Sequence, residues 1–454
     1  MKYYVRTYGC QMNVADSDEM GRHLEARGAS PTEDPDDASI YLVNTCTVRQ
    51  HAEDRALSEI GRLRRWKDQA PGRKVVITGC AAQRTKDFLE RRFPHIDLVV
   101  GARSIENFAE SIDPILDGLL ATRPAHMRGN DESLDYASGA VNTRFASFVT
   151  IMRGCNYSCA YCIVPSVRGR ESYRPMDEVL AEVRDRVDEG ARDITLLGQT
   201  VNSYHRDGNR GKNTDFADLL EAVGAVDGVE RIRFISPHPF YMTDRVIEAM
   251  ATVPAVCEGL HLPVQSGSNT MLGAMLRNYT RESYLELLGK LRRAMPRIVL
   301  STDVIAGFPG ESEDDFRQTL SLLEEARFDW GFIFKYSTRA GTASAALEPH
   351  PESLVEQRHA ACLGLAERVG WDTRRRFEGT IQEILVEESD PEAGSFGRTR
   401  GNFKVRVGGV LEPGALVDVR ITSTDRVTFE GEAVRNKPSV PVGSQAAIKI
   451  GSTH

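Results

Sequence analysis

Residues 74–80 read KVVITGC, a run of β-branched residues that stops on a thiol, Cys80. The same pattern occurs twice before it: YYVRTYGC (3–10) stops on Cys10, and IYLVNTC (40–46) stops on Cys46. In a chain of 454 residues with eight cysteines, three such endings are a pattern and not an effect of composition. Helical stretches lie between them, SDEMGRHLEARG (17–28) and AEDRALSEIGRLRRW (52–66), and TKDFLERRF (85–93) and a strand-like IDLVVG (96–101) follow. Alternating strand and helix predicts an α/β domain over residues 1–117, a parallel sheet with crossover helices. In such a sheet the ligand crevice lies outside the carboxyl ends of the strands, where all three cysteines fall, so they are expected to converge.

Residues 118–140 lose periodicity and gather Gly, Asn, Asp and Ser, which marks a linker. From 141 to 370 six strand candidates recur: FVTIMRG (148–154), DITLLGQ (193–199), RIRFIS (231–236), LHLPVQ (260–265), IVLSTDVIAGF (298–308) and FDWGFIFKYS (328–337). With helical segments such as DEVLAEVRDRVDEG (177–190) between them, they predict an open (β/α)6 barrel whose site lies at the strands' carboxyl ends. Residues 371–436 change to short strands separated by Gly and Pro turns, a small antiparallel β-barrel. The last segment, 437–454, reads as a flexible tail without an assigned role.

Hydrophobic residues make up 41% of the chain and charged residues 27%, no apolar run approaches a bilayer's thickness, and the N-terminus has no apolar signal segment. A cytoplasmic protein without a membrane partner is expected, and there clustered thiols serve as metal or redox ligands more often than as disulfides. A net charge of −8 argues against one large basic field, so any RNA contact is regional.

GCNYSCAYC (154–162) puts Cys155, Cys159 and Cys162 in a C-x3-C-x2-C spacing just after the first barrel strand. Three thiolates in one loop suit a four-iron cluster whose fourth iron has no protein ligand. A structural zinc site closes four ligands around its metal, and no fourth Cys or His lies near in sequence. The loop resembles the signature of the radical S-adenosylmethionine enzymes, with an aromatic residue, Tyr161, before the last cysteine. That resemblance implies that the open iron chelates S-adenosylmethionine, that an electron from the cluster cleaves it to a 5′-deoxyadenosyl radical, and that a reducing protein is a partner. It also implies Tyr161 against the adenine, where the plainer alternative is a core-facing tyrosine.

Beyond this loop, TYGCQMN (7–13), NTCTVR (44–49), TGCAAQ (78–83), LHLPVQSGSNTML (260–272) and DVIAGFPGE (303–311) resemble blocks of the methylthiotransferases, and GRTRGNFKVRV (397–407) resembles their TRAM barrel. The resemblance covers nearly the whole chain. It implies two 4Fe-4S clusters, the second on Cys10, Cys46 and Cys80, and two equivalents of S-adenosylmethionine, one methylating a held sulfur and one making the radical. Three buried structural cysteines are the alternative for that triad. TYGCQMN is most similar to the branch acting on N6-isopentenyladenosine beside the anticodon of tRNA. A branch modifying an aspartate of a small-subunit ribosomal protein, and a non-enzymatic iron–sulfur RNA-binding regulator, are the competing functions.

Gly198, Gln199, Ser236, Gln265 and Asp303 sit at barrel strand ends, where cofactor contacts are expected, together with Gly307. His238, between two prolines, is expected to be a rigid loop element and not a base. In the last domain Arg398, Arg400, Lys404 and Arg406 with Phe403 are expected to offer phosphate contacts and a stacking surface, against the alternative of an ordinary solvated strand pair. Cys257 and Cys362 are expected to be packing residues, and no catalytic side chain is assigned.

Overall fold

The computed structural model describes residues 1–47, 50–120, 145–207, 213–424 and 428–436. Most of the expected linker and the whole expected tail lie outside these residues. The chain begins β1 (Lys2–Thr7), α1 (Gln11–Ala26), β2 (Ile40–Thr45), α2 (Gln50–Asp68), β3 (Lys74–Thr78), α3 (Gly79–Arg92), β4 (Leu98–Gly101), α4 (Phe108–Leu120). The four strands lie side by side in chain order, all parallel, with a two-residue strand, Ser30–Pro31, outside β1. Every residue of β2 is buried because both faces of the sheet are covered. Tyr41, Val43, Val75 and Ile77 pack under Ile60, Leu63 and Leu89 of α2 and α3, while Ile40, Leu42 and Val76 pack under Met20, Leu24, Ile112 and Leu116 of α1 and α4. Helix α4 runs past the expected boundary at 117, because its apolar face from Phe108 to Leu116 stays on the sheet.

The second body carries six parallel strands: β5 (Ala146–Thr150), β6 (Asp193–Leu197), β7 (Arg231–Phe234), β8 (Gly259–His261), β9 (Val299–Ala306) and β10 (Trp330–Lys335). They form two triplets, β5–β6–β7 and β8–β9–β10, which approach each other where Ile232 bridges Val256. Six of the helices around them are α6 (Met176–Asp188), α7 (Phe216–Gly224), α8 (Asp244–Thr252), α10 (Arg281–Ala294), α11 (Glu313–Ala326) and α12 (Glu352–Arg374); the short α5 (Val164–Arg168) and α9 (Asn269–Ala274) lie at the barrel mouth. Ile194, Leu196, Ile232, Leu300, Val304 and Ile333 face those outer helices. Strand alternation therefore turns Asp193, Arg231, Arg233, His261, Asp303, Phe332 and Phe334 to the inner face. The expected boundary at 370 falls inside α12, where Leu365, Ala366, Gly370 and Arg374 are still buried.

The last body is a closed barrel of β11 (Ile381–Asp390), β12 (Gly394–Thr399), β13 (Lys404–Val407), β14 (Leu416–Thr424) and β15 (Thr428–Asn436), in the order β11-β12-β13-β15-β14. It is antiparallel except for the β13–β15 pair, which is parallel. It docks on the inner face of the six-stranded body through two arginines. Arg231, fully buried, donates to the carbonyl of Arg398 at 2.7 Å and to that of Glu383 at 3.2 Å. Arg233 donates to the carbonyls of Arg400 and Thr399 and pairs with Asp193 at 2.8 Å.

Replacing Arg231 by Leu leaves two carbonyls unpaired at a buried joint, each costing about 1–3 kcal/mol. The expected outcome of R231L is an early thermal transition and release of the C-terminal barrel by limited proteolysis. A single transition at the wild-type temperature would show that the joint does not depend on this side chain.

Candidate metal centres

The three N-terminal cysteines follow three adjacent strands. Cys46 comes directly after β2, while Cys10 caps α1 and Cys80 lies in the first turn of α3, so the strands end slightly before the thiols. Two glycines make the approach possible: Gly9 (φ +139°), where a Cβ would stand 2.6 Å from that of Cys46, and Gly79 (φ +97°), where it would run into the carbonyl of Thr45. Behind the thiols a buried amide pair fixes the loops. Asn13 Nδ2 donates to Asn44 Oδ1 at 2.9 Å and to the Thr45 carbonyl at 3.0 Å, and Cys10 Sγ donates to Asn13 Oδ1 at 3.3 Å. Asn44 Nδ2 returns a bond to the Asn13 carbonyl at 2.8 Å. Sequence reading missed both amides, although each stands in a block with its cysteine.

The radical-domain loop is held by partners from four directions. Gly154 N–H donates to Gln199 Oε1, Cys155 N–H to the Gly169 carbonyl at 3.1 Å, Ala160 N–H to the Met275 carbonyl at 3.0 Å, and Ser344 N–H to the Ala160 carbonyl at 2.8 Å. Tyr157 stacks on His238, with centroids 4.1 Å apart and planes 10° apart. Two side chains reach the sulfurs themselves: Arg277 Nη1 donates to Cys159 Sγ at 3.2 Å, and Thr200 Oγ1 shares a hydrogen bond with Cys155 Sγ at 3.2 Å. Neither was found from sequence, Arg277 because 118 residues separate it from Cys159.

Among the described residues no three His, Cys, Asp or Glu side chains converge as the ligands of a single ion must. The chemistry of both triads instead fits an iron–sulfur cluster: three thiols each and, at the C-x3-C-x2-C loop, side chains already hydrogen-bonded to two of the sulfurs. Burial pushes the thiols of Cys80 and Cys162 up to about 12, so each keeps its proton at neutral pH until a metal takes its place. Beside the radical-domain loop, two buried donors, Gln199 Nε2 and His238 Nε2, have no partner among the described residues. His238 Nδ1 accepts from Phe240 N–H, which puts the ring proton on Nε2. These donors suit a polar cofactor at the barrel mouth.

The two cysteine sites meet across the domain joint. Asp16 of α1, fully buried, accepts from Arg153 Nη1 at 2.5 Å and from Arg168 Nη2 at 2.8 Å. Burial raises its carboxyl, and the charges of Arg168 and Arg153 outweigh burial and hold it below its ordinary value. Ile163, directly after Cys162, and Val167 pack with Cys80 and Ala102, and Arg103 Nη2 donates to the Ser166 carbonyl at 2.6 Å. Met12 and Ala15 of α1 pack on Phe148 and Leu197 of the barrel's inner face.

The remaining expected cofactor contacts divide. Ser236 (φ +63°) and Gln265 (φ +73°) are non-glycine residues in the left-handed region, an arrangement costing of order 1–3 kcal/mol each and concentrated at functional sites. Asp303 lies on the inner face, 3.2 Å from His261. Tyr161 packs on the cluster of Ala160, Met271, Met275, Ile305 and Phe308. At Gly198 a Cβ would run into Met152, so packing alone already requires a glycine there. Gly307 (φ +74°) leaves room for Val355 in the same way. Cys257 and Cys362 are buried packing residues, as expected.

The expected RNA-binding stripe needs correction. Phe403 is buried in the barrel core, stacked on Phe429 at 4.4 Å, and is no surface platform; with Val405 and Val407 it follows the inward phase of β13. Arg400 is a joint residue, paired with Glu258 at 2.8 Å and donating to the carbonyls of Pro254 and Val256. Arg398 pairs with Glu387 at 3.1 Å, and the exposed Arg406 with Glu430 at 3.0 Å. Lys404 lies over the Phe396 ring at 4.5 Å.

His238 gives a pH test. Burial, and secondarily the charge of Arg277, lowers its imidazole to about 3. Its folded value is below its unfolded one of about 6.5, so its contribution to stability is complete above that pH and is lost as pH falls toward 3, by about 1.4 kcal/mol per pH unit. The H238N variant should therefore lose stability less steeply than wild type between pH 6.5 and 4.5 in parallel thermal melts. Identical slopes would mean that the Tyr157–His238 stack tolerates a charged ring.

Comparison with known proteins agrees with this geometry. Family models described as Uncharacterized protein family UPF0004, Radical SAM superfamily and TRAM domain match residues 2–101, 149–323 and 375–434. A Sulfurihydrogenibium sp. (strain YO3AOP1) protein named tRNA-2-methylthio-N(6)-dimethylallyladenosine synthase is 39% identical over 438 residues, 96% of this chain and 99% of that one. A Thermobifida fusca (strain YX) protein of the same name is 40% identical over 434 residues, 92% of this chain and 86% of that one. Among solved structures, the radical S-adenosylmethionine methyltransferase TsrM from Kitasatospora setae shares the fold, with TM-score 0.54 at 14% identity over 76% of this chain and 77% of that one. With near full-length relatives at this identity and the cysteine loop at the mouth of a six-stranded barrel, the chain belongs to the radical S-adenosylmethionine methylthiotransferases, enzymes that work with S-adenosylmethionine and a 4Fe-4S cluster.

Proposed function

We propose that the enzyme methylthiolates carbon 2 of N6-isopentenyladenosine next to the anticodon of tRNA, consuming S-adenosylmethionine both as methyl donor and as radical source. The names of its relatives support the reaction. The observation that carries the substrate is on the inner face of the barrel. Phe332 and Phe334 of β10 are 51% and 38% exposed, their rings stack with centroids 6.4 Å apart, and His261 meets Phe332 edge-on at 5.7 Å. Exposed aromatic rings on a concave face suit a flat base carrying an apolar prenyl group. The rival substrate, an aspartate of a ribosomal protein, would be brought against Asp303 and two phenyl rings, while the two arginines of the inner strand face are engaged elsewhere: Arg233 is paired with Asp193 and Arg231 is spent on the joint.

In this proposal Cys155, Cys159 and Cys162 hold the cluster that, when bound, supplies the electron for reductive cleavage of S-adenosylmethionine. Arg277 and Thr200 donate to two of its ligand sulfurs, and the Tyr157–His238 stack keeps the loop in place. Cys10, Cys46 and Cys80 hold a second cluster that presents sulfur. A reducing protein supplies electrons. The C-terminal barrel contacts tRNA, with Lys404 retained from the expected stripe and Arg406 at its exposed edge.

The test is a paired measurement. A strain lacking the gene should accumulate isopentenyladenosine without its methylthio group, by mass spectrometry of tRNA nucleosides, and wild-type protein should restore the modification. Purified C10A/C46A/C80A should still form 5′-deoxyadenosine under strong reductant and yield no methylthiolated tRNA. Methylthiolated product from this variant near the wild-type level would remove the sulfur-donor role from the N-terminal triad.

The aromatic pair gives a second outcome. F332A/F334A should raise KM for isopentenylated tRNA by about tenfold, the loss of roughly 1–2 kcal/mol of aromatic and apolar contact. Cleavage of S-adenosylmethionine in the absence of tRNA should be unchanged. An unaltered KM would place the prenyl group elsewhere.

A further inference from the structure

Arg168 ends α5 of the radical domain, six positions after Cys162, yet its guanidinium reaches across the joint to Asp16 of the other domain, within electrostatic range of that domain's Cys80 and Cys10. The helix that carries it packs on Cys80 through Ile163 and Val167. Its charge acts on both Cys80 and Cys10. One arm, Nη2, is anchored on Asp16 at 2.8 Å. The other, Nη1, is buried without a partner among the described residues, in a side chain only 4% exposed. An unmade hydrogen bond from a buried guanidinium costs about 1–3 kcal/mol or more, so a partner that the protein alone does not supply is called for.

The contrast with Arg153 sharpens this. Arg153 binds the same Asp16 but also Glu19 at 2.5 Å and Glu106 at 3.5 Å, so carboxylates surround its charge. Among the described residues, Arg168 pairs with no carboxylate but Asp16. The uncancelled positive charge of this joint is on the side of the N-terminal cysteines.

We propose that Arg168 is a positioning residue for the N-terminal site: its Nη1 donates to an anionic sulfur held there by Cys10, Cys46 and Cys80, so that the radical domain supplies the positive charge the other domain's cluster needs. The inference rests on the two-cluster reading above. A cluster gains a negative charge on reduction, and a guanidinium beside its sulfur stabilises the reduced form and raises its potential. Asp16 acts in the opposite sense by drawing charge from the same guanidinium.

The experiment uses full-length C155A/C159A/C162A protein, which leaves only the N-terminal cluster, reconstituted with iron and sulfide and titrated by electron paramagnetic resonance under graded dithionite. About four irons are expected per chain. In this background R168Q should shift the midpoint potential downward, R168K should fall between R168Q and the parent, and D16N should shift it upward. Opposite signs are the diagnostic, because simple loosening of the joint would move R168Q and D16N together. Iron retained with an unmoved potential in R168Q, at unchanged circular dichroism, overturns the role of Arg168 alone. Shifts of the same sign in R168Q and D16N also overturn it. If R168Q does not fold, R168K and D16N carry the same opposition. No iron in the parent variant overturns the two-cluster reading, and this inference with it.

Discussion

A buried carboxylate between two arginines is the interaction on which the molecule's arrangement depends. Asp16 has no exposed surface, and its two partners, Arg153 and Arg168, come from the two ends of the segment that carries the radical-domain cysteines. Removing any one member strands a charge in a medium that cannot solvate it, which costs about 3–5 kcal/mol where such pairs are broken. A hydrophobic replacement of the whole triad could be as stable, so stability alone does not explain it. What the triad supplies is registry: it ties α1, which begins at Cys10, to the loop that contains Cys155, Cys159 and Cys162.

A second joint, at the other end of the barrel, uses the same residue type for a different end. Arg231 and Arg233 spend their donors on backbone carbonyls of the C-terminal barrel, and Arg400 spends its own on carbonyls of the radical domain. Guanidinium forks suit this because several donors lie in one plane and meet several acceptors at once. The two joints cover different parts of the inner face. Met12 and Ala15 cover the side of β5 and β6, and the C-terminal barrel covers the strand beginnings, Trp330 included, which leaves Phe332 and Phe334 of β10 exposed. The open part of the barrel is thus a consequence of where its neighbours dock.

The features legible in the chain were those that act locally. Strand ends carrying cysteine and the close C-x3-C-x2-C loop announce themselves because their partners in chemistry sit at fixed short offsets. Asp16 and Arg168, 152 residues apart, announce nothing, and neither do Arg277 and Cys159. The basic stripe misled for a related reason: a run of arginines in one dimension does not say whether each meets phosphate, a carboxylate or a carbonyl, and Arg400 meets carbonyls some 144 and 146 residues away. Phe403 was legible and was misread, since period-two alternation puts it in phase with Val405 and Val407. The boundary at 370 failed because nothing local breaks α12 before Phe377 and Gly379, where φ turns positive.

The spacing of the two cysteine sites follows from one short helix. Ile163 is the residue after Cys162 and already packs with Cys80, and α5 spans only five residues, about 7–8 Å of rise, before Arg168 reaches Asp16. Two sites so connected cannot drift apart by more than the joint's own play, because the helix between them is pinned at one end by its cysteine and at the other by an ion pair. In the reaction proposed above, a carbon radical on the substrate is consumed by whatever meets it first, so the donor sulfur would have to stand within contact of the carbon from which hydrogen is taken. Tying both sites to the same few residues meets that requirement through chain connectivity, with no need for a domain movement to bring them together. In that proposal the remaining freedom belongs to the substrate, for which the exposed face of Phe332 and Phe334 is the way in.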